Sequence, residues 1–203
     1  MNEETYILGG ISACTSNILK HNLNVWQDGP NIPGLCLSNG CGVKVSNNAF
    51  LIIGGSLAGS RILKFTTDDN KWHNTSIELN GGREGLACIV FNSKVIITGG
   101  HTTTHNQYSS GTYVIDIDND GKFKLRSGHS LNEMRAYHGM GIIQRNNGAT
   151  VIAFGGFNKM DGKLSSVEIW NDSNESWEIS NVPLNRSRRD FGFATLPTEL
   201  LCP

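Results

Sequence analysis

The sequence VIITGG at residues 95–100 is an apolar run that ends in two glycines, and the pattern occurs three more times. The other copies are YILGG at 6–10, FLIIGG at 50–55 and VIAFGG at 151–156. An aromatic residue follows each glycine pair at a similar distance, as Trp26, Trp72, Phe123 and Trp177. Self-similarity at a regular interval is the mark of internal repeats. The chain therefore consists of four copies of one unit.

Each unit carries short apolar segments separated by polar turns, which predicts a four-stranded antiparallel sheet. The approximate units are 1–35, 36–82, 83–134 and 135–187, with 188–196 as one further opening strand. Such a sheet cannot bury both of its faces alone, so neighbouring sheets must stack, and radial stacking gives a β-propeller. We expect one all-β domain over residues 1–203, with the aromatics packed between neighbouring sheets.

The most regular copy resembles the kelch repeat. It runs from RAYHG at 135–139, through Gly155 and Gly156, to Trp177. The resemblance implies a β-propeller of kelch-type blades. Two departures are visible: Phe123 stands where the pattern has Trp, and Ser38 stands where the second copy should have its opening arginine.

The two ends of the chain leave two arrangements open. In the first, strand 190–196 pairs with strand 5–9 and closes a four-bladed ring. In the second, the chain is an open part of a larger propeller, since kelch propellers usually have six or seven blades. An open array would expose apolar faces, which favours association.

Charge and composition argue against several classes of partner. The formal net charge is −1, and no block of like charges occurs, so binding to nucleic acid is not expected. No apolar stretch is long enough to span a bilayer, and the N-terminus lacks the pattern of a signal peptide. The five cysteines are odd in number, which favours free thiols in a reducing compartment such as the cytoplasm. Secretion is the alternative if the N-terminus is truncated.

Two segments superficially suggest metal ligands. His101 and His105 lie four residues apart, but in a predicted loop, and the alternating carboxylates of Asp116, Asp118 and Asp120 fall at a predicted hairpin turn. A loop and a turn explain these residues better than zinc or calcium sites. We therefore expect no metal, no cofactor and no catalytic residue.

The remaining candidate is the loop face, which we define as the end of the sheets that carries residues 56–60, 101–110 and 157–164. By resemblance, arginines that open kelch repeats line a partner-binding pocket. The predicted binding residues are Arg83, His101, Arg135, Tyr137 and Arg188. The same arginines could instead tie one blade to the next through backbone carbonyls.

These observations favour a protein-binding adaptor whose partner is a protein or peptide, an acidic one fitting the arginines. One alternative is an enzyme on a propeller frame, of the oxidase or sugar-acid isomerase type. The other is a truncated fragment without function. Convergence of titratable side chains at the centre of the propeller would distinguish the enzyme.

Overall fold

The protein is all-β over the residues that the computed structural model describes. These residues are 4–8, 16–20, 25–33, 38–56, 59–102, 105–118, 120–145 and 148–193. They form nineteen strands: β1 Glu4–Leu8, β2 Ser16–Lys20, β3 Val25–Asp28, β4 Cys41–Ser46, β5 Ala49–Ile53, β6 Arg61–Thr66, β7 Lys71–Glu78, β8 Ala87–Phe91, β9 Lys94–Thr98, β10 His101–Thr102, β11 Gln107–Tyr108, β12 Thr112–Ile117, β13 Phe123–Gly128, β14 Gly139–Arg145, β15 Gly148–Phe154, β16 Phe157–Asn158, β17 Gly162–Lys163, β18 Val167–Asn171 and β19 Ser176–Ile179. These residues include no helix that could cross a membrane.

The strands form successive antiparallel sheets in chain order. Three sheets have four strands each, in the orders β4-β5-β6-β7, β8-β9-β12-β13 and β14-β15-β18-β19, and β1-β2-β3 forms a three-stranded sheet before them. Two small hairpins, β10-β11 and β16-β17, lie between the second and third strands of their units. The all-β class and the four-stranded antiparallel sheets predicted from the repeat are confirmed.

Consecutive sheets pack face to face because their second strands are apolar on both sides. In β9, Val95 and Ile97 belong to a core shared with the sheet before, whereas Ile96 belongs to a core shared with the sheet after. All three side chains are at most 1% exposed. Alternate residues of a strand point to opposite faces, so a continuous apolar run serves two interfaces at once.

The repeated aromatics occupy these interfaces in three of the four units. Trp177 is 5% exposed, and its Nε1 donates to Thr112 Oγ1 of the preceding sheet at 3.0 Å. Phe123 packs against the core shared with the second unit. Trp72 packs near Ile32 of the first unit and donates its Nε1–H to Pro30 O at 3.1 Å. Trp26 differs, since it is 48% exposed.

Each of the three glycine pairs in the described residues lets one unit hydrogen-bond to the opening of the next. The second glycine donates its N–H to the carbonyl of an opening arginine: Gly55 to Arg83 at 2.7 Å, Gly100 to Arg135 at 2.9 Å and Gly156 to Arg188 at 2.8 Å. All these glycines have positive φ, and a Cβ on Gly99 would lie 2.2 Å from the Arg135 carbonyl oxygen. Only glycine fits both the conformation and the close approach.

A disulfide joins the first strands of two neighbouring sheets. Cys41 on β4 is bonded to Cys88 on β8, across 47 residues of sequence, with Cα atoms 5.9 Å apart. The expectation of free thiols was wrong for this pair, because sequence spacing could not reveal that β4 and β8 lie side by side. The bond also removes the cysteine argument for a reducing compartment.

The predicted opening strand at 190–196 differs from the structure where the two can be compared. Residues 190–193 form no strand, and residues 194–196 lie outside the described residues. In the described part of the chain, β1 pairs with β2. The pairing of strand 190–196 with strand 5–9 therefore stays a prediction.

Candidate functional site

Four equivalent residues at the openings of successive units form a chain of backbone hydrogen bonds. Gly85 N–H donates to Asn39 O at 2.7 Å, Tyr137 N–H to Gly85 O at 2.7 Å, and Asp190 N–H to Tyr137 O at 3.1 Å. All four residues have positive φ, between 52° and 62°. This conformation is rare for a bulky residue such as tyrosine and is held only where the surroundings impose it.

A shallow cavity of about 280 Å³, widely open to solvent, lies at this chain of residues. Its walls are Asn39, Gly40, Gly85, Leu86, Tyr137, His138, Asp190 and Phe191. Three successive units and the segment after the fourth thus contribute to one concave site. The Tyr137 ring packs so closely on Gly85 that a Cβ there would lie 2.8 Å from the ring.

Beside the cavity, the carboxylate of Glu84 accepts hydrogen bonds from two other units and lies near a histidine of its own unit. Tyr137 Oη donates to Glu84 Oε1 at 3.1 Å, the Ser56 hydroxyl donates to Glu84 Oε2, and His101 Nδ1 lies 3.6 Å from Oε1. His101 Nε2 lies 2.9 Å from Asn106 Oδ1. Through Glu84, these contacts connect Ser56 in the loop face of the second unit to the openings of the third and fourth units.

The environment shifts the pKa values of three groups at this site. Burial raises the pKa of Glu84, but hydrogen bonds from Ser56 and Tyr137, together with the nearby His101 ring, outweigh burial and hold the pKa below its ordinary value. Burial and the nearby charge of Glu84 raise the pKa of Tyr137 to about 12. Burial, with the charge of Arg135, lowers the pKa of His138 to about 3. At neutral pH, Glu84 is therefore ionised while Tyr137 and His138 are neutral.

Aromatic side chains extend from this cluster across the two hairpins of the loop face. The His101 ring lies 4.8 Å from the ring of Tyr108, which lies 5.6 Å from the ring of Phe157. The Arg189 guanidinium lies over Phe157, 4.5 Å from the ring centroid. These ring–ring and cation–π contacts restrict the side chains of His101, Tyr108 and Arg189.

The three predicted arginines do not converge on one pocket. Arg135 has no exposed surface, and it donates to Gly155 O at 2.8 Å and to Glu168 Oε1 at 2.8 Å. Arg83 is half-buried, donates to Gly99 O at 3.2 Å and lies over the Tyr113 ring. Arg188 is exposed. The side chains of Arg83 and Arg135 thus bind the glycine turn of their own unit, and Arg135 is closed to any partner.

The sequence alone did not single out Glu84, Ser56 or Arg189. The three isolated bridges Ser38–Ser56, Glu84–His101 and Ala136–Phe157 occupy equivalent places in successive units. Ser38 is therefore the counterpart of Glu84, not of Arg83, and the counterpart of Arg83 is residue 37, outside the described residues. The equivalent places hold Ser38, Glu84 and Ala136, so the sequence repeat carries no signal for the carboxylate of Glu84.

The segments that suggested metal ligands have ordinary partners. Asp118 Oδ1 accepts the N–H groups of Asp120 and Lys122, as a turn carboxylate does, and Asp116 is paired with Arg126. Among the described residues, no three His, Cys, Asp or Glu side chains are grouped as metal ligands would be.

Comparison with solved structures gives a fold relationship at low sequence identity. The structure of YjhT is similar to this chain with a TM-score of 0.69 and 14% identity, over 90% of this chain. This chain spans 63% of that one. No family model and no curated protein matches the sequence.

Proposed function

We propose that the chain is a kelch-type β-propeller segment that binds another protein through its loop face. The contacts between sheets support radial stacking. Strand β8, the first of its sheet, lies beside the first strands β4 and β14 of its neighbours, and the fourth strands β7 and β13 also lie beside each other. First strands would then surround a common axis and fourth strands would lie outside, as in a propeller blade.

The exposed faces at the two ends support an open arc over a closed four-bladed ring. Trp26 in the first sheet is 48% exposed, and Phe193 beside the last sheet is 53% exposed. In the later units, the counterparts of Trp26 are buried or partly buried against the unit before them. A ring closed by the two termini would be expected to cover both residues.

The observation that carries the binding proposal is the cavity built by Asn39, Gly85, Tyr137 and Asp190. It lies on a frame of backbone hydrogen bonds, and the strands β10 and β16 of the loop face are bridged to Glu84 and Ala136, the neighbours of two lining residues. Concave sites on rigid frames are where ligands and partners bind, because little conformational freedom is lost on binding.

The same groups do not favour acid–base catalysis. A general base works best with a pKa near the pH of operation. The pKa of Glu84 is low, that of His138 is about 3 and that of Tyr137 is about 12. The Glu84 carboxylate oxygens are also occupied by hydroxyl donors. The enzyme alternative requires titratable side chains to converge at one place. Glu84, Tyr137 and His138 do lie close together, but their protonation states at neutral pH suit binding better than proton transfer.

Site-specific photo-crosslinking tests the proposal. A photoreactive residue would replace Met160, which is 80% exposed at the tip of the β16-β17 hairpin, and separately Lys122, whose side chain is 78% exposed at a turn on the opposite face. In an extract of the cells that make the protein, we expect discrete crosslinked partners from position 160 and none of them from position 122. Crosslinks of equal pattern and yield from both positions would contradict binding through the loop face.

A further inference from the structure

The loop face carries its strongest charge at one end, beside the cavity. Basic side chains cluster there on two adjoining segments, the β16-β17 hairpin and the stretch that follows β19. We call them the basic patch, and all are exposed: Lys159, Lys163, Arg186, Arg188 and Arg189. Only Asp161 and Asp190 oppose them within the two segments, which leaves a formal surplus of three positive charges. The whole chain, in contrast, has a formal net charge of −1.

The backbone beneath the basic patch is fixed to two other parts of the fold. Arg188 donates its N–H to Leu164 O at 3.0 Å and accepts the N–H of Gly156 at 2.8 Å. Asp190 N–H donates to Tyr137 O at 3.1 Å, in the chain of residues that lines the cavity. The arginines therefore project from an ordered segment, which lowers the entropy lost when they bind a ligand.

Aromatic rings orient two of the guanidinium groups. Arg189 lies over Phe157 at 4.5 Å, and Arg188 lies over Phe191 at 6.0 Å from the ring centroid. Phe191 also lines the cavity. The side chain of Arg189 is 41% exposed and lies 3.4 Å from that of Asp190, which is 56% exposed. An ion pair this exposed is weak, so an incoming anion can displace it.

We propose that the basic patch binds an acidic peptide segment of the partner. The bound segment would then lie next to the cavity, which Phe191 lines. Carboxylates and phosphates share the chemistry that arginine recognises, through paired charge-assisted hydrogen bonds. This proposal rests on the loop-face function proposed above. It differs from the sequence prediction in its residues, because Arg83 and Arg135 turn inward and Arg186 and Arg189 take their place.

Fluorescence anisotropy with defined peptides tests the proposal. The probes are fluorescein-labelled hexaglutamate, a peptide of the same length with two phosphoserines, and hexalysine as a charge control. We expect binding of one or both acidic probes, weakening as salt rises, and no binding of hexalysine. A phosphoserine preference assigns phosphate as the anion, and equal binding assigns carboxylate. Tighter binding of a twelve-nucleotide single strand than of either acidic peptide would overturn the proposal.

A matched pair of variants localises the site. The double variant R186Q/R189Q removes two exposed charges from the basic patch, and K122Q/K124Q removes two exposed charges from the opposite face. We expect roughly tenfold or greater weakening in the first and less than about twofold in the second, since each lost charge-assisted contact contributes on this scale. Unchanged affinity of R186Q/R189Q, with an unchanged melting temperature, would overturn the proposal.

The crosslinking experiment separates this proposal from the loop-face function. If position 160 still captures its partners in the R186Q/R189Q background, the loop face binds but the basic patch does not carry the binding. If neither background yields partners at position 160, the loop-face function itself has failed.

Discussion

Arg135 Nη2 lies 2.8 Å from Glu168 Oε1, and neither side chain has any exposed surface. The Glu168 carboxylate also accepts the backbone N–H groups of Asn132 at 2.7 Å and Glu133 at 3.1 Å. The pair thus ties strand β18 to the connection that enters the same unit. Two buried charges that compensate each other are tolerated, but one left alone is costly.

We expect R135A and E168A each to lower the free energy of unfolding by about 3–5 kcal/mol, the usual cost of leaving one buried charge unpaired. R83A should cost only about 1 kcal/mol, because Arg83 is half-buried and hydrogen-bonds to neutral partners. Urea unfolding followed by tryptophan fluorescence measures all three. Equal losses for R83A and R135A would show that the buried charge of Glu168 is not the cause.

Much of the fold could be predicted because the repeat signals agree with one another. Apolar runs such as VIITGG correctly predicted the second strands. The aromatics Trp72, Phe123 and Trp177 correctly predicted where the fourth strands begin. The roles of Arg135 and Glu168 could not be predicted in the same way. They are 33 positions apart in the sequence, and their pairing depends on the chain between them folding back. The exposure of an arginine is a property of packing rather than of sequence.

The exposure of the repeated tryptophans predicts unequal effects of one substitution. W177A should cost about 3–5 kcal/mol of unfolding free energy, since it empties a packed interface and removes the bond to Thr112. W26A should cost less than about 1 kcal/mol, because Trp26 is already 48% exposed. Chemical denaturation compares the two variants. A large loss in W26A would show that Trp26 is covered in solution, and would favour ring closure.

The Cys41–Cys88 disulfide predicts a dependence of stability on reductant. Closing a loop across 47 residues restricts the unfolded chain and should stabilise the fold by about 4 kcal/mol on the chain-entropy model. We expect the double variant C41S/C88S to melt well below the oxidised protein, and reductant to lower the melting temperature of the parent only. A melting temperature that is the same in the parent with and without reductant would contradict this pairing.

The candidate site was harder to predict than the fold because it depends on backbone conformation. Four residues of different types line the site, and they share only a positive φ and an equivalent place in the unit: Asn39, Gly85, Tyr137 and Asp190. Histidine and tyrosine at His101 and Tyr137 were predicted as binding residues, and the structure brings them together around a carboxylate, Glu84, that the sequence did not single out.

A network of charges on the opposite face joins the hairpin β18-β19 to the preceding sheet. Glu175 accepts a hydrogen bond from Arg126 Nη2 at 2.8 Å and another from Lys94 Nζ at 2.9 Å. These bonds lower the pKa of Glu175 to about 2. A carboxyl whose pKa is lower in the folded state stabilises the fold above its unfolded pKa, near 4.5, and this contribution is lost as the pH falls toward 2.

Replacing Glu175 by glutamine should therefore destabilise the protein in a pH-dependent way. At pH 7 we expect E175Q to lower the free energy of unfolding by about 1–2 kcal/mol, because the side chain is partly exposed and two charge-assisted hydrogen bonds are weakened. The difference from the parent should shrink between pH 4.5 and pH 2, where the parent's own carboxyl becomes protonated. The control D120N alters a pair whose side chains are both 78% exposed and should have no measurable effect at any pH. Urea unfolding at a series of pH values measures these differences, and a loss in E175Q that stays constant down to pH 2 would show that the glutamine acts through packing and not through charge.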